Sequence, residues 1–158
     1  MLVVDIPWED GGEPAVESTV ERAVALNLAR KGNCSQALLC AYAKSLGLDD
    51  SAAYALGEGM ASGFGDARGT CGAYAAACVI IGARESNRAF DMGTCGATAG
   101  KVHALAGAFL DEVARSLGPG RASLVCGEIL RGERPPEVPC WKVIRAAARA
   151  VEQVSPSD

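Results

Sequence analysis

Hydrophobic and polar positions recur at helical spacing over most of the chain, and each run ends at a glycine or a proline. Over residues 17–31, Val20, Ala23, Val24 and Leu28 fall on one face. Gly32 stops that run, Asn33 is a natural cap for a second helix over 34–46, and Gly47 closes it. A third helix is predicted over 51–60, running into a glycine-rich stretch at 57–72. Further helices are predicted over 71–83, 95–117, 124–130 and 139–154. Gly118, Pro119 and Gly120 end the longest of these, and Pro135, Pro136 and Pro139 lead into the last. Before residue 17 only 2–6 reads as a brief strand, broken by Pro7, Gly11, Gly12 and Pro14. The pattern predicts an all-α fold, a compact helical bundle of six or seven helices. Its expected bounds are one domain over 17–154, a short extended N-terminal segment over 1–16 and a flexible tail over 155–158.

The 158 residues are 49% apolar but only 5% aromatic, with 19 glycines and 29 alanines. A core made of such small side chains favours closely approaching helices over a sheet. With 15 basic and 19 acidic side chains the formal charge is −4, which argues against nucleic acid as a partner. The first ten residues have no basic leader, and no run approaches the roughly 18 apolar residues of a membrane span. A cytoplasmic protein without direct membrane insertion is expected. In that compartment seven cysteines are thiols or metal ligands before they are disulfides, and an odd number excludes complete pairing.

The positions of the cysteines say more than their number. Cys34 follows Asn33, Cys71 follows Thr70, Cys95 follows Thr94, and Cys140 follows Pro139. Asn and Thr are N-cap residues and Pro suits the first helical position, so all four are predicted in first turns. Free N–H groups and the helix dipole stabilise a thiolate there. Each also heads an apolar stripe: Tyr74, Ala75, Cys78 and Val79 after Cys71; Thr98, Ala99, Val102, Leu105 and Phe109 after Cys95; Val143, Ile144, Ala147 and Ala148 after Cys140. The thiols are therefore expected to point inward at helix ends. The connections are long enough to bring these ends together at one end of the bundle. Cys40 and Cys78 read as small core residues instead.

Four short segments, in this order, resemble the redox-active protein family C_GCAxxG_C_C. They are Gly32-Asn33-Cys34-Ser35-Gln36-Ala37, Gly63-Phe64-Gly65, Thr70-Cys71-Gly72-Ala73, and Cys126-Gly127-Glu128-Ile129-Leu130 followed by Cys140. The resemblance spans about residues 17–153 and implies a small helical protein with four characteristic cysteines, here Cys34, Cys71, Cys126 and Cys140. The resemblance also implies a link to iron–sulfur binding, which is suggested for a related segment beside multihaem domains. The sequence departs from the pattern in two places. Ala76 stands where the motif has its later glycine, and the glycine loop before Cys71 is short. The complete Cys-Gly-Ala-x-x-Gly motif occurs instead at Cys95-Gly96-Ala97-Thr98-Ala99-Gly100, which adds Cys95 to the candidate cofactor-binding residues.

Four thiolates can hold a [2Fe–2S] or [4Fe–4S] cluster or a tetrahedral zinc. The wide spacing of Cys34, Cys71, Cys126 and Cys140 resembles neither ferredoxin runs nor zinc ribbons, so local sequence does not choose the metal. The leading expectation is an iron–sulfur protein that transfers electrons. The alternatives are a metal-free thiol–disulfide oxidoreductase, a structural zinc protein, and a helical interaction protein whose cysteines only pack. Expected partners are a redox protein or a membrane-associated redox or transport system, with a homodimer as a further option. Arg131, Arg134, Lys142, Arg145 and Arg149 make the C-terminal third basic, as a docking face for an acidic redox partner would be.

Overall fold

The computed structural model describes residues 18–133 and 140–157. The segment predicted as a brief strand lies outside the described residues, as do Pro135, Pro136 and Pro139. The described chain forms α1 (Thr19–Leu28), α2 (Cys34–Leu46), α3 (Asp50–Glu58), the four-residue turn α4 (Ala61–Phe64), α5 (Gly72–Glu85), α6 (Cys95–Leu117), a 3-10 turn (Pro119–Arg121), α7 (Cys126–Leu130) and α8 (Cys140–Val154). Setting aside the kinked α4, there are seven helices and no strand among the described residues, in agreement with the predicted all-α bundle.

Local chemistry accounts for most of the boundaries. Ser18 and Asp49 cap α1 and α3, their side chains accepting from Glu21 N–H and Ala52 N–H. Asn33 and Gln36 form a reciprocal capping box at the start of α2, and Gly47, at φ 70°, ends that helix in the left-handed conformation. The first helix is shorter than its apolar pattern. It stops at Leu28, Arg30 takes a left-handed φ of 55°, and Leu28 is exposed rather than in the core stripe.

The core is built from Leu38, Leu39 and Tyr42 of α2, Ile80 and Ile81 of α5, Leu105, Phe109 and Val113 of α6, and Ile144 and Val151 of α8. Helix α2 lies centrally, packed on α1, α3, α5 and α8, while α6 packs mainly on α8. The Tyr74 and Phe109 rings meet at 5.4 Å between centroids, a tilted contact joining α5 to α6. Two stripes differ from expectation. On α5 the buried residues are Ala73, Tyr74, Ala76, Ala77, Ile80 and Ile81, so Val79 faces outward. On α6 only the segment from Leu105 onward is buried, and Cys95 and Ala99 lie on an exposed face. Among the described residues no helix is long and apolar enough to cross a membrane.

Candidate functional site

The site begins at the capping box. Gln36 Oε1 accepts from Asn33 N–H at 3.1 Å while Asn33 Oδ1 accepts from Gln36 N–H at 2.9 Å, and this fixes Cys34 as the first residue of α2. Two buried polar side chains tie that turn to the end of α3. Ser35 Oγ donates to the Gly57 carbonyl at 2.6 Å, and Gln36 Nε2 donates to the Tyr54 carbonyl at 3.2 Å. The helices can approach this closely because residue 57 is glycine: a Cβ there would stand 2.7 Å from Gln36 Cα.

N–H groups from three separate segments favour negative charge on the Cys34 sulfur: Ser35 from α2, Ser62 from α4, and Ala73 from the first turn of α5. Ser62, Gly63 and Phe64 all have left-handed φ angles, between 51° and 62°, and the non-glycine members of such a run are held there only by their surroundings. Gly63 is pressed so closely on Cys126 that a Cβ would meet the Cys126 Cβ at 2.6 Å.

Cys71 and Cys126 are positioned together by one short piece of extended pairing. Thr70 and Val125 form an isolated antiparallel bridge. Around it Cys71 N–H donates to the Leu124 carbonyl at 2.7 Å, Cys126 N–H to the Gly69 carbonyl at 3.0 Å, and Gly127 N–H to the Ala67 carbonyl at 2.7 Å. Cys140 heads α8, whose buried Val143, Ile144 and Ala147 hold it against the bundle.

The charges that these sulfurs would carry act on one another. Burial pushes the Cys71 thiol up to about 12, with further contributions from Cys34 and Cys126. Burial, then Cys34 and Cys126, push Cys140 up to about 11. Cys126 is raised by burial and by Cys34. Cys34 is raised by burial too, but the N–H groups around its sulfur pull the other way. Cys34 is thus the hub of the set, near enough to all three others to disfavour their ionisation.

The structure brings Cys34, Cys71, Cys126 and Cys140 together and leaves Cys95 out. Cys95 is exposed, its Sγ 3.8 Å from Met92 Sδ, and the inward orientation expected for it does not occur. The reason is that the first turns of α6 project beyond the core. Thr94 does not cap that helix, and its Oγ1 accepts from Asn87 N–H instead. Cys71 also differs from its expected place, since it occupies the N-cap position of α5 itself while Thr70 is taken by the bridge. Cys126, predicted inside a helix, is the first residue of α7. Cys40 and Cys78 are half-buried and stand apart; the Cys40 thiol lies 3.9 Å from the Asp50 carbonyl, and Cys78 hydrogen-bonds with Tyr74.

All seven cysteines are free thiols. Among the described residues no three His, Cys, Asp or Glu side chains are grouped closely enough to hold a metal ion as they stand. Cys34 is near enough to Cys71, Cys126 and Cys140 for their charges to interact, backbone N–H groups favour negative charge on its sulfur, and glycines stand at the contacts of Cys34 and Cys126. Ser35, Gln36 and Ser62 escaped the sequence reading as site residues. Their one signal was that Ser35 and Gln36 fall at inward positions of a helix that otherwise buries apolar side chains.

No curated protein and no solved structure significantly matches this chain. The family model described as "Putative redox-active protein (C_GCAxxG_C_C)" matches residues 32–154, which contain all four converging cysteines and most of the described bundle. The chain belongs to that family.

Proposed function

We propose that Cys34, Cys71, Cys126 and Cys140 hold an iron–sulfur cluster, [2Fe–2S] or [4Fe–4S], and that the protein transfers electrons. The observation that carries this reading is the Cys34 sulfur, facing N–H groups from three segments while lying close to three other thiols. Such a cluster accepts and releases one electron, and hydrogen bonds to its sulfurs tune the potential. Burial and mutual repulsion keep the four thiols protonated, so a cation that binds them displaces their protons. The same effects disfavour free thiolates, which a metal-free thiol exchanger needs at its attacking cysteine. The backbone donors at Cys34 then offset negative charge on sulfur. A single zinc calls for four sulfurs about 3.8 Å apart, given Zn–S bonds of about 2.3 Å. A cluster accepts a wider spread of sulfurs.

The test is anaerobic purification with iron, zinc and acid-labile sulfide measured on one sample. Two or four irons per chain with matching sulfide support the reading. One zinc without sulfide replaces it with a structural metal site. Metal-free protein with a reversible internal disulfide replaces it with thiol exchange.

A further inference from the structure

Of the basic side chains in the C-terminal third, the structure gathers three into a row. Lys142, Arg145 and Arg149 follow one another at spacings of three and four along α8, on the face turned away from the buried Val143, Ile144 and Ala147. They span about 10 Å of the helix. Arg131 is not part of the row, since it stands at the C-cap of α7 and donates to the Gly120 carbonyl. The row is held in place by its neighbours. Lys142 Nζ and the Arg145 guanidinium lie 5.5 Å and 4.9 Å from the centre of the Trp141 ring. Arg145 also donates twice to Glu21 of α1, at 3.0 and 2.7 Å. Arg149 reaches Glu112 of α6 at 3.7 Å, and Arg115 pairs with the same carboxylate. Glu112 is almost wholly buried, whereas the Arg115 and Arg149 side chains are 64% and 51% exposed. One buried negative charge thus orders two guanidiniums that stay open to solvent. Side chains fixed before a partner arrives lose little freedom when it docks.

The local charge is positive although the chain as a whole is formally −4. Lys142, Arg145, Arg149 and Arg115 meet only Glu21 and Glu112, and Lys142 has no carboxylate partner among the described residues. Asp111, exposed one turn before Arg115, leaves the balance positive. An uneven field of this kind steers and orients an approaching partner of opposite sign. The row also starts beside the candidate site. Lys142 is two residues from Cys140, which is half-buried while Cys71 and Cys126 are buried.

We propose that Lys142, Arg145 and Arg149, with Arg115, form the surface on which a one-electron carrier protein with an acidic face docks. Carboxylates of the carrier meet the ordered arginines and the unpaired Lys142. What is exchanged rests on the cluster reading: one electron passes between the cluster and the docked carrier, one gaining what the other loses, and no bond is made or broken.

The experiment measures binding of an acidic flavodoxin to the anaerobically purified full-length protein by calorimetry, at about 20 and about 200 mM salt. Iron and sulfide are determined on the same sample. The variants are Lys142→Glu, Arg149→Gln and Arg88→Glu, the last an equal charge change at an exposed position between α5 and α6. Lys142→Glu is expected to weaken binding about tenfold at the lower salt, Arg149→Gln about threefold, and Arg88→Glu by less than about twofold. Raising the salt should weaken the wild type most and Lys142→Glu least. Circular dichroism checks each fold, and Arg149→Gln, which keeps an N–H donor beside Glu112, decides the matter if Lys142→Glu does not fold. Equal weakening by Lys142→Glu and Arg88→Glu would reduce the effect to net charge and overturn the proposal. Absence of wild-type binding at both salts would overturn it too. Binding to phosphatidylglycerol vesicles without binding to flavodoxin would give the row to a membrane surface and overturn it equally. Binding that depends on the row, in protein without iron and sulfide, would instead overturn the cluster reading and leave the docking surface in place.

Discussion

A Cβ built on Gly72 would lie 2.8 Å from the Cys34 sulfur, and it would collide with the Met60 carbonyl as well. The first residue of α5 is therefore glycine because two other segments occupy the space of its side chain. Gly72→Ala cannot be absorbed by a flexible side chain, since one obstacle is backbone. We expect it to cost about 1–3 kcal/mol, as overpacking does, and to displace Cys34 from the N–H groups of Ser62 and Ala73. Urea denaturation measures the first effect, and iron and sulfide content after anaerobic purification measures the second. Wild-type values for both would refute the close contact.

Ser35 carries a second prediction. Its hydroxyl is completely buried and donates to the Gly57 carbonyl at 2.6 Å, joining the start of α2 to α3. Ser35→Ala leaves that carbonyl without this donor in a dry contact, at an expected cost of about 1–3 kcal/mol. Ser35→Thr adds a methyl group where packing is tight and is not expected to rescue it. Denaturation midpoints of the two variants, with hydrogen exchange over α3, check this directly.

These cases show which parts of the molecule were legible in the sequence. Helix α2 was read to the residue because Asn33 and Gly47 mark its ends by local chemistry. The inward set Val143, Ile144 and Ala147 of α8 followed from spacing alone. The pairing of Thr70 with Val125 was not legible, since a single bridge between distant loops leaves no periodic trace. Nor was the exposure of Cys95, because an apolar stripe on α6 does not record that its first turns extend past the body they pack on. Caps and periods report on neighbours in sequence, whereas the site is closed by loop contacts from residues far apart in the chain.

The ionisable groups give a pH prediction with a definite sign. Burial and neighbouring thiols raise Cys71 to about 12 and Cys140 to about 11 in the folded chain, against about 8.5 for an unfolded cysteine. Tyr42, buried and donating to Glu152 Oε1 at 2.9 Å, is raised as well. A raised folded-state pKa means that the unfolded chain loses its proton first. Stability from these groups is therefore complete below about pH 8.5 and falls as pH rises towards the folded values. The metal-free, reduced protein should unfold at progressively lower urea between pH 8.5 and pH 11. Tyr42→Phe should reduce the loss above about pH 10, where an unfolded tyrosine ionises. A flat midpoint across this range would contradict the burial of these groups.

The cysteines themselves allow the sharpest separation of roles, because two of them carry the same local motif in opposite surroundings. Cys71-Gly72-Ala73 lies in the converging set, while Cys95-Gly96-Ala97 lies on the exposed start of α6. Cys95→Ser removes only a solvent-facing thiol near Met92, so stability should change by no more than about 0.5 kcal/mol. Iron and sulfide content should also stay at the wild-type level. Cys34→Ser acts at the hub, replacing the sulfur that faces the Ser35, Ser62 and Ala73 N–H groups. Its hydroxyl can still accept those hydrogen bonds, so the fold should survive, but a serine is a poor substitute for a thiolate ligand. Visible absorption of the reduced and oxidised protein, together with iron and sulfide analysis, should therefore report loss of the proposed cluster in Cys34→Ser and its retention in Cys95→Ser. Retention in both would detach the cluster from Cys34. Loss in Cys95→Ser alone would move the ligand set to the exposed motif.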